Sequence, residues 1–324
     1  MTTAPTLQDR EGAVLDVLAG TSLTHAAAQV GMGTADLAEA IAAYRSAGRA
    51  ALDVPEWWQV RVRFRDWAHA ETRVAQVLAP ELDHAVARGV LRGWWYIRKY
   101  PCWRLRCQPA SPTQPEDAKR VLTAALDRLI EDDAGETWWS TPYEPEDVAF
   151  GGPCGVELAH RLFALDSHHF LIYLRNASGT AVGRHELSLL LLNRLFQAAR
   201  LDDHERGDVW HRVVQARPMP TECEPERLRD LAGQVGRLFT ANPTREDLGG
   251  TGGPLAFAAE WFDEIADVGS QLADAARDGR LERGARAVLA KHVIFHWNRF
   301  GIEAHRQALY ARAARAVLLD GVTS

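Results

Sequence analysis

The residues whose types and spacing could do chemistry fall in one stretch, Trp94-Trp95-Tyr96-Ile97-Arg98-Lys99-Tyr100-Pro101-Cys102-Trp103-Arg104-Leu105-Arg106. In extended chain, successive side chains point to opposite faces, so Trp103 and Leu105 face one way and Arg104 and Arg106 the other. Upstream, Trp95, Ile97 and Lys99 oppose Trp94, Tyr96 and Arg98. Pro101 has no N–H to give to a ladder and marks a break between two short runs. The product is a cationic face crowded by indoles. It suits an anion- or peptide-binding surface, and it equally suits an amphipathic strand whose arginines are solvated.

The other chemistry-bearing residues are scattered. His292 and His296 are four apart, so on a helix they share a face; without a carboxylate or thiol fixed beside them they make no metal site. They could serve acid–base chemistry, since imidazole titrates near neutrality. His168 and His169 are adjacent and on a strand would face opposite ways. Asp166-Ser167 reads as a helix cap or as a polar pair of a site. Four cysteines, Cys102, Cys107, Cys154 and Cys223, form no Cys-x-x-Cys pair and read as buried thiols. There is no nucleophile elbow, phosphate-binding loop or zinc-protease motif. No metal and no cofactor are expected.

The elements that must position these residues belong to a chain of 324 residues, one large domain or two ordinary ones. Its 47% apolar content is ample for a packed core, and its net charge of -6 argues against a nucleic-acid binder. It starts without a secretory signal, and no apolar run reaches membrane-spanning length. A soluble cytoplasmic protein is expected.

Residues 10 to 50 predict a small helical module: Arg10 to Leu18, a second helix from Thr24 to Val30 capped by Thr21-Ser22, a Gly31-Met32-Gly33 turn, and a third from Ala35 to Ala47. This is a helix-turn-helix outline, but its last helix is acidic where a DNA reader would be basic. A docking or recognition module, residues 1–53, is the expectation. Beyond Asp53-Val54-Pro55, residues 54–324 predict a mixed α+β domain. Trp58, Val60, Val62 and Phe64 alternate with Gln59, Arg61, Arg63 and Arg65 as a half-buried strand. A helix over 68–88, kinked at Pro80, leads into the arginine–tryptophan strand. A helix over 116–130 comes next, then Trp138-Trp139, which leads to Tyr143. Gly151-Gly152 permits positive φ and close approach to another surface. A helix over 156–164 ends in Asp166-Ser167, followed by an apolar segment at 170–174. Helices over 184–199, 202–214, 224–239, 257–277, 281–299 and 302–319 complete the chain, with a mobile loop expected at 242–254.

Three segments together resemble a known family. Trp94 to Arg106, Tyr143 to Gly152 with Asp166-Ser167, and His296-Trp297-Asn298-Arg299 follow the order of motifs in the thiopeptide-type bacteriocin biosynthesis domain. That family includes the glutamate-elimination domain of lanthipeptide dehydratases and stand-alone thiopeptide pyridine synthases. The resemblance covers roughly residues 55 to 320 and implies a mixed sheet with many flanking helices. In eliminating members an Arg-x-Arg strand holds the glutamyl ester, a further arginine precedes the aromatic-Gly-Gly turn, and a histidine precedes Asn-Arg. Arg104 and Arg106 match the first element; Ala149 and Ile294 stand at the other two positions.

Those departures point to the other branch. The resemblance then implies a formal aza-[4+2] cycloaddition between two dehydroalanines of a leader-bearing peptide, with loss of water and leader. Glutamate elimination and non-catalytic leader binding are the alternatives. It implies Arg104, Arg106, His296, His292 and Tyr143 as catalytic residues. Trp94, Trp95, Arg98, Trp103, Glu146, Asp166, Ser167, Asn298 and Arg299 would contact the substrate, the tryptophans by stacking on azole rings. The partners implied are the precursor peptide and a separate dehydratase or azole-forming enzyme, with a homodimer also open.

Overall fold

The computed structural model describes residues 5–51, 57–111, 115–132, 135–176, 182–219, 224–240 and 253–321. The expected loop at 242–254 lies almost wholly outside these residues, as does Cys223. The chain divides into two compact units, Met1–Glu56 and Trp57–Ser324.

The first unit has three helices, α1 (Leu7–Leu18), α2 (Leu23–Val30) and α3 (Thr34–Ala51). Thr6 and Asp9 cap α1 reciprocally, and the Ser22 hydroxyl accepts the His25 N–H at the start of α2. Gly31, left-handed at φ 67°, ends α2 where a side chain would be strained. The unit has its own small core of Ala13, Val14, Ala26, Ala27, Leu37 and Ile41.

In the second unit a four-stranded antiparallel sheet runs in the order β2-β3-β1-β4, from β1 (Trp58–Phe64), β2 (Leu91–Lys99), β3 (Cys102–Pro109) and β4 (Gly135–Thr141). The sequence shows no alternation over β4, and its strand was not expected. Val60, Val62, Trp94, Tyr96, Trp103 and Leu105 share the face that joins the hydrophobic core with Leu78, Leu82, Leu122 and Leu126. The last four come from α5 (Ala79–Ala87), the turn before it and α6 (Pro115–Glu131). Gln59, Arg61, Trp95, Arg104 and Arg106 share the opposite face. Register sets Arg106 between Gln59 and Trp95, and Arg104 beside Arg61.

The expected helix at 68–88 is α4 (Ala70–Arg73), a π-helical turn Val74–Leu78, then α5. Pro80 explains the wide turn: it lacks an N–H and its ring collides with the carbonyl four residues back, so the ladder loosens by one residue. After the short α7 (Asp147–Phe150) comes α8 (Gly152–Asn176), one helix of 25 residues where two pieces were expected. Gly151 and Gly152 take φ 87° and 83° between them. A Cβ on Gly152 would lie 2.4 Å from the Glu282 carboxyl carbon, and the Gly151 carbonyl accepts the Glu282 N–H at 2.9 Å. The remaining helices are α9 (Arg184–Ala198), α10 (Asp203–Ala216), α11 (Pro225–Thr240), α12 (Ala259–Arg277), α13 (Ala285–Arg299) and α14 (Ala304–Leu318). α8 packs on β2, α12 and α13, which ties the helical layer to the sheet beside the arginine strand.

Candidate functional site

A pocket of about 160 Å³ opens on the arginine face of the sheet. Gln59, Arg61, Trp95, Arg104 and Arg106 form its floor, and Pro142, Tyr143, Glu144 and Glu146 pass over one side. Val156 and Phe163 from α8, Phe150 from α7 and Phe295 from α13 make an apolar wall. The phenylalanines interlock: Phe163 stacks on Phe295 at 5.0 Å, and Phe150 meets Phe295 edge-on at 5.1 Å.

Arg106 is buried on this floor, its guanidinium 4.1 Å from the Trp95 ring centre and 5.1 Å from that of Tyr143. Its Nε and Nη1 have no hydrogen-bond partner. Burial lowers its pKa to about 9 despite the favourable influence of Tyr143, and Arg104 adds to the lowering. Arg104 is partly buried and is lowered too, first by desolvation and then by Arg61. Glu146, at the side of the pocket, acts favourably on both Arg104 and Arg106, yet Nε of Arg61 and Nε and Nη1 of Arg106 have no hydrogen-bond partner, so the floor is able to receive oxygen lone pairs.

Tyr143 follows β4 in a segment without regular structure, yet its hydroxyl is held. Its Oη lies 2.6 Å from Nε2 of His160, one α8 turn before Phe163. The His160 ring centre lies 4.8 Å from that of Trp57 and 5.9 Å from that of Trp95. Burial, then Arg106, pulls the His160 pKa down to about 4, so the imidazole is neutral at physiological pH. Burial pushes the Tyr143 phenol upward, keeping it protonated. Sequence reading passed over His160. Its signal was the spacing Val156, His160, Phe163, which puts an imidazole on the apolar stripe of a helix.

Of the residues singled out in the sequence, the pocket gathers Arg104, Arg106, Tyr143, Trp95 and Glu146. The others lie elsewhere. Trp94 and Trp103 are on the core face of the sheet, where pleating sends alternate residues, and both are buried: Trp94 donates to Asp83, and Trp103 stacks on Tyr96 at 4.5 Å. Arg98 shares that face, paired with Glu71 and lying over Trp67 and Trp103.

Asp166 and Ser167 are fully buried in the middle of α8 and cap nothing. Asp166 Oδ2 accepts from Arg299 and His296, each at 2.7 Å, and Oδ1 accepts from Trp261. Burial alone would raise its pKa; His296 and Arg299 outweigh that and hold the carboxyl well below its usual range. Ser167 accepts the Tyr96 N–H and donates to the Phe163 carbonyl. One outward N–H of edge strand β2 is thereby satisfied from α8. His296 is further fixed by Ser188 at 3.0 Å, and Asn298 by Gln307. His292 is wholly buried beside Phe150 and Phe163, and neither ring nitrogen has a partner. Helical geometry aims Phe295 at the pocket from α13 and turns His292, His296 and Arg299 into a buried layer behind the phenylalanines.

Among the described residues no group of three or more His, Cys, Asp or Glu is placed to hold a metal ion. No helix there is long and apolar enough to cross a membrane. The fold is similar to that of MibB, the tRNA dependent lantibiotic dehydratase from Microbispora sp. 107891, at 17% identity and TM-score 0.61. That match takes in 83% of this chain and 28% of MibB, so this chain spans little more than a quarter of it. TsrL matches at 19% identity over 81% of this chain and 94% of its own, with TM-score 0.51. TbtD, the pyridine synthase from thiomuracin biosynthesis, matches at 15% over 82% and 98%, with TM-score 0.54. No curated protein matches by sequence. At these identities the structural likeness is one of fold. The sequence itself follows the model of the lantibiotic biosynthesis dehydratase C-terminal family over residues 57–318, nearly the whole second unit, and the chain belongs to that family.

Proposed function

We propose that this protein modifies a leader-bearing, ribosomally made peptide by a formal aza-[4+2] cycloaddition between two dehydroalanine residues. The observation that carries the reading is what the pocket contains and what it lacks. It joins unpaired guanidinium groups to a neutral Tyr143–His160 pair, α13 lines it with Phe295, and Ile294 on the same helix stands at the position where the elimination pattern has a histidine. Cycloaddition makes modest demands on side chains. Two reacting segments must be held together, which supplies many powers of ten in rate, and one amide must shift to its imidic form. Arg104 and Arg106 are suited to polarise the amide oxygen, and Tyr143 to exchange protons with it. Trp95 and the phenylalanine wall offer flat apolar surface to the modified peptide. The cycloadduct keeps every atom of its precursors; loss of water and of the leader as its amide then makes the ring aromatic without an oxidant. Residues 1–56 are assigned to docking of the leader or of a partner enzyme.

Glutamate elimination is the second reading, favoured by the same unpaired arginines, which suit a glutamyl carboxylate. Mass spectrometry separates the two. A dehydrated, leader-bearing peptide should lose water and leader on incubation, and a glutamylated peptide should be returned unchanged. Release of glutamate from the second peptide, with the first unaltered, would reverse the assignment.

A further inference from the structure

We propose that His160 is a positioning residue for the proposed reaction, receiving the Tyr143 hydroxyl proton so that Tyr143 can take one from a substrate amide. This rests on the peptide-modifying reading of the pocket. Tyr143 sits in a segment with no strand or helix to fix it, and its side chain is held from two rigid elements. Nε2 of His160 on α8 meets Oη at 2.6 Å, and the Arg106 guanidinium on β3 lies over the ring at 5.1 Å. His160 is itself locked among Trp57, Trp95 and Phe163, with ring centres at 4.8, 5.9 and 6.4 Å. A hydroxyl held only for packing needs neither a two-nitrogen acceptor nor a cation on its ring.

The proton inventory is closed. In the neutral imidazole with its hydrogen on Nδ1, Nε2 accepts from Tyr143 and leaves an Oη lone pair directed at the pocket. The substrate amide N–H bond breaks and its proton goes to Oη. The proton already on Oη passes to Nε2, and the electron pair left on the amide moves to the carbonyl oxygen, beside the guanidinium groups. Returning the proton from Nε2 through Oη to that oxygen gives the imidic acid. No proton is gained or lost overall, and no oxidant or reductant takes part. The adjacent cation keeps the imidazolium short-lived, which favours return over storage.

His160→Gln, Tyr143→Phe and the double variant test this on a dehydrated, leader-bearing peptide. Each single variant should lower kcat by about 10²- to 10³-fold with KM nearly unchanged, and the double should be no slower than the slower single. Glutamine can still hold the phenol but cannot carry the proton, so wild-type kcat in His160→Gln would overturn the relay. Multiplying losses in the double variant would do the same. A second measurement does not depend on the reaction. Nitrogen-15 NMR of the imidazoles should show His160 protonated on Nδ1, with the Nε2 resonance moving in Tyr143→Phe. A ring protonated on Nε2 and unmoved by that substitution would sink the proposal even if no substrate turns over. The predicted tautomer in a protein inert toward the peptide would instead sink the cycloaddition reading alone.

Discussion

Arg106 combines two properties that rarely coexist in a scaffold residue: it is buried, and two of its guanidinium nitrogens are unpaired. A buried charge without a partner destabilises a fold, so its replacement by an apolar side chain of similar length is favourable. Arg106→Met should therefore raise stability to chemical denaturation by about 1–3 kcal/mol while turnover falls at least 100-fold. A loss of both would make it a structural residue. His292 is the converse, buried and unpaired but off the pocket. Its pKa is pulled down to about 3, by burial and then by Arg299. A histidine whose folded pKa is depressed contributes nothing adverse above the unfolded value near 6.5. Below it the unfolded chain takes up a proton that the folded chain refuses, so stability falls as pH drops from about 6.5 towards 3. His292→Leu removes that decline. Denaturation at pH 7 and pH 5 should show the variant gaining about 2 kcal/mol more at pH 5, with activity retained. Alternation alone made Arg104 and Arg106 legible as one face; Trp95 joins them through the β2–β3 register, which alternation within a run does not carry. His160 was not legible, because nothing local distinguishes a histidine aimed at a tyrosine from one filling an apolar stripe.

At the level of elements, α8 was misread for a physical reason. Asp166-Ser167 looks like a stop signal because, within the segment, no residue compensates a buried carboxylate. Compensation comes from Arg299 and His296, over 100 residues away in sequence, and from Trp261. Composition does not carry that information. The same holds for β4, which lacks alternation because only part of it is covered. The interior of α8 joins sheet to helices at two adjacent residues, and they should respond differently. Ser167→Ala removes the acceptor for the Tyr96 N–H and should cost about 1–2 kcal/mol, with faster hydrogen exchange at that amide. Asp166→Asn leaves Arg299 buried without its carboxylate and should cost about 3–5 kcal/mol. Equal effects of the two substitutions would contradict this account of the joint. By contrast the strand at β1, the two short runs that become β2 and β3 with the break at Pro101, and the helix ends at Ser22 and Gly31 followed from local pattern and turn chemistry, because neighbours in sequence decide them; the antiparallel pairing of the two runs is a finding of the structure.

Over the whole molecule, two units with separate cores imply separable tasks. The first, with seven acidic residues against three basic ones, carries Leu7, Leu15 and Leu18 exposed on α1. The second contains every residue of the pocket. A chain beginning at Trp57 should fold cooperatively and keep kcat on a dehydrated peptide within a few-fold, while KM for the leader-bearing form rises at least 10-fold. A collapse of kcat with KM intact would place the first unit in the chemistry rather than in docking. The proline-loosened turn before α5 and the paired glycines at 151–152 lie at the two approaches to the arginine hairpin and the pocket wall. Each meets a steric demand that a regular element could not.

The unneutralised guanidinium in its aromatic slot has a practical corollary. Any molecule that brings oxygen lone pairs into that slot relieves an electrostatic penalty the empty protein bears continuously. Occupancy should therefore register as a higher melting temperature, well before the identity of the natural peptide is known. Short carboxylates, amides and dehydrated dipeptides can be ranked by melting shift against Arg106→Met as the blank, turning a destabilising feature of the scaffold into an assay for what it was shaped to hold.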